Sequence, residues 1–185
     1  MADPSAYTYP SPLAGFEHAP PLPDGFSDDG KSYKNPPAEN GQSKAYSEFT
    51  SGVTNGTRGG FDVHVYYFQN SDFQKKYAQE LWQRIRYEFP ELRIYKFWEK
   101  PVGPHPYAMF EVNIFTPEQF GAFIPWLVIN RGPLSALLHP NCDDHDHVRD
   151  HTQRATWLGE KVPLDVGMLR AVMEKQSKEP PKTSS

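Results

Sequence analysis

FDVHVYYFQNSDFQKKYAQELWQRIRYEFP, residues 61–90, changes its apolar period once, and that change decides the fold. The first eight residues, FDVHVYYF, are β-branched and aromatic, the composition of a strand. After Asn70 the apolar residues recur in steps of four, at Phe73, Tyr77, Leu81, Ile85 and Phe89, with Ala78 and Trp82 beside them. That spacing predicts one apolar face of a helix, which Pro90 ends. A strand feeding a helix of this length is the first half of a β-α-β unit.

Downstream the pattern repeats with variation. LRIYKFW (92–98) reads as a second strand and YAMFEVNIF (107–115) as a third, joined by the loop EKPVGPHP. Thr116, Pro117 and Gln119 then occupy the cap, first-turn and N3 places of a capping box. The helix they open turns Phe120, Phe123, Ile124 and Leu127 inward, with a kink expected at Pro125. Gly132 supplies its stop, and LSALLHP (134–140) is a fourth strand. The order β-α-β-β-α-β with right-handed crossovers gives an α+β domain. Its antiparallel sheet has strand order 4-1-3-2 and carries both helices on one face. The other face must be covered by the chain after residue 140, by the N-terminal arm or by a second subunit. A homodimer is the expectation.

The flanks differ in kind. Residues 1–58 are rich in Pro, Gly, Ser and Asn with no sustained period, and read as a disordered or surface-packed arm. The folded domain is placed at 59–172 and a C-terminal tail at 173–185. A chain of 185 residues has room for one well-buried core. Its formal charge of −4 offers no basic stripe, so nucleic acid is not expected as a partner. No apolar run is long enough for a membrane span. MADPSAYTYP lacks the basic and apolar parts of a signal peptide, so a soluble, cytoplasmic protein is expected. The single cysteine, Cys142, leaves nitrogen and oxygen as the donors for any metal.

Strand alternation sorts the side chains that could carry chemistry. With Val63, Val65 and Tyr67 toward the helices, His64 and Tyr66 fall on the opposite face. Met109, Glu111 and Asn113 of the third strand and His139 of the fourth join them. The first strand runs antiparallel to both neighbours, so His64, Glu111 and His139 converge. His105 starts at the far end of the sheet and joins only if its Pro-rich loop folds back. Two histidines and a carboxylate with open positions suit non-haem iron(II), whereas three histidines with one open position suit zinc. Each histidine taken singly also fits a hydrogen-bonded core residue.

The segment HPNCDDHDHVRDH (139–151) holds four of the seven histidines. His139 is fixed by its strand and by Pro140. His145 and His147 alternate with aspartates in a stretch without apolar anchors and read as solvated. His151 leads into TQRATWLG, where Ala155, Trp157 and Leu158 give the chain something to bury.

DVHVYY, KPVGPHPYAMFEV, the His-Pro pair at 139–140 and DHTQRATWLG together resemble the motif blocks of the DOPA 4,5-dioxygenase family, over residues 61 to about 166. The resemblance implies a ferredoxin-like fold and extradiol cleavage of a catechol such as DOPA by dioxygen, giving a seco-DOPA pigment precursor. It singles out His64, His105, His139 and His151 and passes over His145 and His147. On this footing His64, His105 and His139 are expected as iron(II) ligands, with Glu111 the alternative third and zinc a possible occupant of purified protein. His151 is expected as acid/base or in support of a ligand, with Tyr66 as a further catalytic side chain. Trp157 and Asn113 are expected against substrate, although core packing explains Trp157 equally well. Asp62 stands where many members carry a further histidine, and Cys142 where threonine is more usual. The competing expectations are a non-catalytic ferredoxin-like module that binds zinc or a small ligand as a dimer, and a cofactor-free oxygenase on the same scaffold.

Overall fold

The structure is a computed structural model and describes residues 4–38, 41–54 and 59–178. The backbone divides into two compact units, Met1–Ser43 and Lys44–Ser185. The first unit has little regular structure. A short turn pairs Phe26 with Tyr33, whose rings lie 4.6 Å apart, and Asp29 closes it by accepting from the backbone N–H groups of Lys31 and Ser32.

The second unit follows the period change read from residues 61–90. β1 (Phe61–Tyr67) leads into α1 (Asp72–Glu88), capped by the Ser71 hydroxyl, which accepts from the Gln74 N–H. β2 (Arg93–Ile94) and β3 (Ala108–Ile114) precede α2 (Pro117–Asn130). Thr116 caps α2 as expected, and the Gln119 side chain accepts from the Phe115 N–H, one residue before the cap. α2 stays helical through Pro125. Gly132 ends it at φ 56, and a Cβ there would meet the Tyr77 ring, so the stop is fixed by space as well as by backbone. β4 (Ser135–Pro140) completes the expected four strands. α3 (His147–Thr152), β5 (Thr156–Leu158) and α4 (Val166–Lys178) follow, and α4 runs past residue 172, where a tail was expected to begin. None of the helices among the described residues is long and apolar enough to cross a membrane.

The sheet order is β2-β3-β1-β4-β5, antiparallel throughout. This is the expected 4-1-3-2 arrangement with one short strand added at the β4 edge. On one face Val63, Val65, Phe110, Val112, Ile114, Ala136 and Leu138 pack with Ala78, Leu81 and Ile85 of α1 and Phe123 and Leu127 of α2. That face is the principal core, where each fully buried aliphatic or aromatic side chain contributes about 1.5–3 kcal/mol.

The opposite face is closed by the chain itself. Tyr66, Met109 and Leu137 form a second apolar cluster with Trp98, Val102 and Tyr107 from one side and Ala155, Trp157, Val162 and Leu164 from the other. The geometric reason for expecting a second subunit there is therefore removed. The arm boundary also moves. Phe49 stands edge-on to Phe61 and Phe120, Val53 bridges Cys142, and the Thr54 N–H bonds the Asn141 carbonyl. Residues 44–54 thus belong with the domain, fastened to the start of β1 and the end of β4.

Candidate metal centre

Register places the first two histidines. Opposite β1, His64 faces Glu111 of β3 and Asp62 faces His139 of β4, so His64 and His139 stand on the same sheet face at adjoining positions. Their rings lie nearly parallel, 13° apart, with Nε2 of one 3.1 Å from Nε2 of the other. The other two histidines arrive from outside the sheet. The loop before β3 folds back at Gly103, where Val102 and His105 exchange backbone hydrogen bonds, and the Pro104 carbonyl accepts from the Asp165 N–H. This brings the His105 ring to 4.3 Å from that of His64. His151 comes from α3, its ring 3.9 Å from that of His139.

α3 is only six residues long; it packs on α4 and β4 and is tied down further by ion pairing. Asp150, almost fully buried, accepts from the Cys142 N–H and from Arg154. Arg154 also grips both oxygens of Asp144, at 2.9 and 2.6 Å. The aspartates of the 139–151 segment therefore form the clamp that holds the His151 helix. The Asp144 carboxyl is held down to about 2, chiefly by its bonds to Arg154. Cys142, Asp144 and Asp150 also cluster closely, and the Arg154 cation already pairs with both carboxylates. The Cys142 thiol is pushed up to about 12, first by burial and then by Asp150, so it remains protonated.

Among the described residues His64, His139 and His151 form the histidine group whose donor atoms all lie within 4.8 Å of one another. Hydrogen bonds fix which nitrogens these are. His139 Nδ1 donates to its neighbour's carbonyl, Pro140 O, at 2.9 Å, and His151 Nδ1 donates to His147 O at 2.8 Å. Both rings are left with a lone pair on Nε2. Burial is the main cause that depresses all four histidines: His139 to about 4, His105 and His151 to about 3, and His64 well below its ordinary value. All four are neutral near pH 7.

The donor set fits a metal ion. Two nitrogens each about 2.1 Å from one ion stand about 3.0 Å apart at a right angle and about 3.4 Å apart at the tetrahedral angle. The 3.1 Å between His64 and His139 falls within that span. His64 Nδ1 is sealed from water without a hydrogen-bond partner, its nearest acceptor being Glu111 Oε2 at 3.8 Å. A neutral imidazole that binds through Nε2 carries its hydrogen on this Nδ1, facing a carboxylate.

The remaining expected site residues lie around this triangle. His105 is close to it, but its Nδ1 is bonded to the Tyr66 hydroxyl at 2.7 Å. Glu111 faces the Nδ1 edge of His64, away from His139. Asn113 donates to both Asp62 and Glu111, which takes up both amide hydrogens. Burial is the first cause that pushes Asp62 up to about 6 and Glu111 up to about 7, and in Glu111 the nearby Asp62 adds to it. Trp157 stacks on Tyr66 at 5.6 Å. His145 is exposed at φ 52, and His147 contributes its carbonyl rather than its ring. A cavity of about 190 Å³ lies on the far side of Tyr66, toward Ser135, Tyr107 and Lys161, and contains none of the histidines. Sequence reasoning missed Arg154 as the residue that positions His151. Its only local signal was the Asp150/Arg154 spacing of four.

The α+β sheet carries a buried histidine group that could hold a metal ion, and comparison with known proteins shows the family. The family model described as the Dopa 4,5-dioxygenase family matches residues 61–168, and the chain belongs to that family. A 21.2 kDa protein of Botryotinia fuckeliana described as uncharacterized is 61% identical over 183 residues, covering 96% of this chain and 99% of that one. A DOPA 4,5-dioxygenase of Amanita muscaria is 32% identical over 111 residues, covering 57% of this chain and 47% of that protein. A crystal structure from Nostoc punctiforme, of a protein provisionally described as a dioxygenase, aligns with TM-score 0.52 and 34% identity over 61% of this chain and 92% of that one.

Proposed function

We propose that the chain is an extradiol ring-cleaving dioxygenase that acts on a catechol such as DOPA, with iron(II) held by His64, His139 and His151. The observation that carries the reading is the triangle of neutral imidazole nitrogens, two of them with lone pairs preset by hydrogen bonds to backbone carbonyls. In this reading His151 takes the ligand place expected of His105, because the nitrogens that come together are those of His64, His139 and His151, with the His105 ring beside them. Three ligands leave coordination positions for the two hydroxyl oxygens of a catechol and for dioxygen. Iron(II) bound there would supply Lewis acidity toward the catechol oxygens and electrons toward dioxygen.

The chain's own groups do the rest. Glu111, with an oxygen 3.8 Å from His64 Nδ1, favours a hydrogen on that nitrogen, and Asn113 holds Glu111 and Asp62 in place by donating to both. Tyr66 and Trp157 stack on one another and make the side of the pocket next to His105 apolar. The overall change is catechol plus dioxygen to a ring-opened product that keeps both oxygen atoms, so no separate reductant is needed.

The test is to strip the protein with chelator, reconstitute it anaerobically with iron(II), and follow oxygen consumption with a panel of catechols. Iron-dependent uptake with a ring-opened product supports the reading. Tightly held zinc with no turnover in the iron form would point instead to a ligand-binding module. Turnover undiminished in chelator would point to cofactor-free chemistry.

A further inference from the structure

Four neutral histidines share one pocket, yet their hydrogen bonds divide them into two kinds. His139 and His151 each donate from Nδ1 to a backbone carbonyl, which cannot donate in return, so their hydrogen sits on Nδ1. His105 is bonded at Nδ1 to a phenol instead. A phenol has one hydrogen to give, and the hydroxyl of Tyr66, on a buried side chain, makes this bond and no other among the described residues. If His105 Nδ1 carried the hydrogen, the Tyr66 O–H would be stranded without an acceptor, a loss of about 1–3 kcal/mol. Tyr66 therefore donates, Nδ1 accepts, and the hydrogen of the neutral His105 ring sits on Nε2.

A ring nitrogen that carries a hydrogen cannot ligate a metal through that atom, but it can hydrogen-bond to an anionic oxygen held next to it. Among the described residues His105 Nε2 makes no hydrogen bond, and it is not one of the sealed unpartnered atoms there, which are His64 Nδ1 and Arg131 Nε. With Nδ1 taken by Tyr66, Nε2 is the ring's remaining polar atom, and the ring stands beside the triangle, 4.3 Å from His64 and 6.0 Å from His151. We propose that His105 is a neutral hydrogen-bond donor, its Nε2–H directed at an oxygen of the bound catecholate or dioxygen, and that Tyr66 is the positioning residue that fixes this tautomer. The contribution of His105 is to stabilise charge that develops on oxygen, by a donor already in place. The proposal rests on the catechol dioxygenase reading for the ligand it names, but the tautomer is a property of the chain alone.

Nitrogen-15 NMR of histidine-labelled, zinc-loaded protein reads the tautomer directly. His105 is expected with its proton on Nε2, and Tyr66→Phe is expected to shift that ring toward the Nδ1–H form. Metal content is expected to stay at the wild-type level in Tyr66→Phe, His105→Gln and His105→Ala. Binding of 4-nitrocatechol to the zinc form, followed by its visible absorbance, is expected to weaken about 10- to 100-fold in His105→Ala, the range of one hydrogen bond to a charged group. In His105→Gln, whose side-chain N–H reaches a similar place, binding should be largely restored. An Nδ1–H signal for His105 in the wild type, or loss of metal in the His105 variants, would overturn the proposal. Equal binding by His105→Ala and wild type would overturn it as well. If iron reconstitution gives no ring cleavage while the tautomer and the 4-nitrocatechol results hold, the oxygenase reading fails and the donor assignment stands.

Discussion

Metal-free protein is expected to lose stability steeply as pH falls from about 6 to about 4.5, and the histidine pocket sets the slope. In the folded chain His105 and His151 are depressed to about 3, His139 to about 4 and His64 well below its ordinary value. In the unfolded chain all four titrate near about 6.5. Between those values unfolding takes up four protons. A histidine kept neutral by the fold therefore contributes stability above the unfolded value that is lost as pH falls through it. Asp62 and Glu111 act in the opposite sense, because their folded values are raised to about 6 and about 7. They hold protons that the unfolded chain releases, and their contribution is present at low pH and lost as pH rises through those values. Around pH 5 the difference is about two protons taken up on unfolding, or roughly 3 kcal/mol per pH unit. Over the whole window the loss is about 4 kcal/mol, comparable to the entire stability of many domains. The assay is urea unfolding of chelator-treated protein at several pH values, with the midpoint falling and the slope m unchanged. His105→Gln, with one titrating ring fewer, should flatten the dependence by about one proton. A stability independent of pH across the window, or rising toward acid, would refute the reasoning. It would mean that water reaches the rings and lets them titrate at ordinary values.

Three further outcomes are expected. His139→Ala should abolish metal retention and ring cleavage together, whereas the His145→Ala/His147→Ala double variant should keep both; equal loss of metal in the two, read by elemental analysis, would show that the acidic loop is the site. Arg154→Ala leaves the buried Asp150 carboxylate without its cation and should lower stability by about 2–3 kcal/mol in urea melts, with metal affinity falling as His151 loses its support. Deleting residues 1–43 should leave the thermal midpoint within about 2 °C of the full chain, while deletion through residue 58 also removes the half-buried Phe49 ring and should cost about 2 kcal/mol or more; equal midpoints for the two deletions would show that the Phe49 packing contributes nothing.

The parts of the fold that were legible in the sequence are those with a period. β1, α1, β3, α2 and β4 each carry a repeat of 2 or 3.6 long enough to read, and their order settles the sheet. The single polar residues His64, Glu111 and His139 were then placed on one face by alternation alone. β2 was read too long, because Tyr95 and Trp98 keep backbone bonds to β3 while the strand as such spans only Arg93–Ile94. α3 and β5 are too short to show a period, and their positions depend on the contacts of Arg154 and Trp157. Phe49 and Val53 are isolated apolar residues in a Gly- and Ser-rich stretch, so nothing local distinguished them from the arm before them. His105 depended on a turn at Gly103, and no repeat reports where such a turn sends the chain. The proposed sorting of ligands from donor is hidden for a different reason: it lies in which atom each Nδ1 faces, and all four of those atoms are either backbone carbonyls or side chains from outside the ring's own strand.

The clamp on α3 also bears on how the pocket exchanges its contents. His64 and His139 belong to central strands whose backbone bonds break only when the sheet unfolds, but His151 rides on a six-residue helix tied down further by Arg154 and its two aspartates. Local opening of that segment would withdraw one nitrogen and leave two in place, with the rest of the domain folded. With the proposed ligand set, ion entry and escape would follow the lifetime of a partly exposed salt bridge, and ionic strength would become a control on exchange kinetics at a site whose histidines carry no charge.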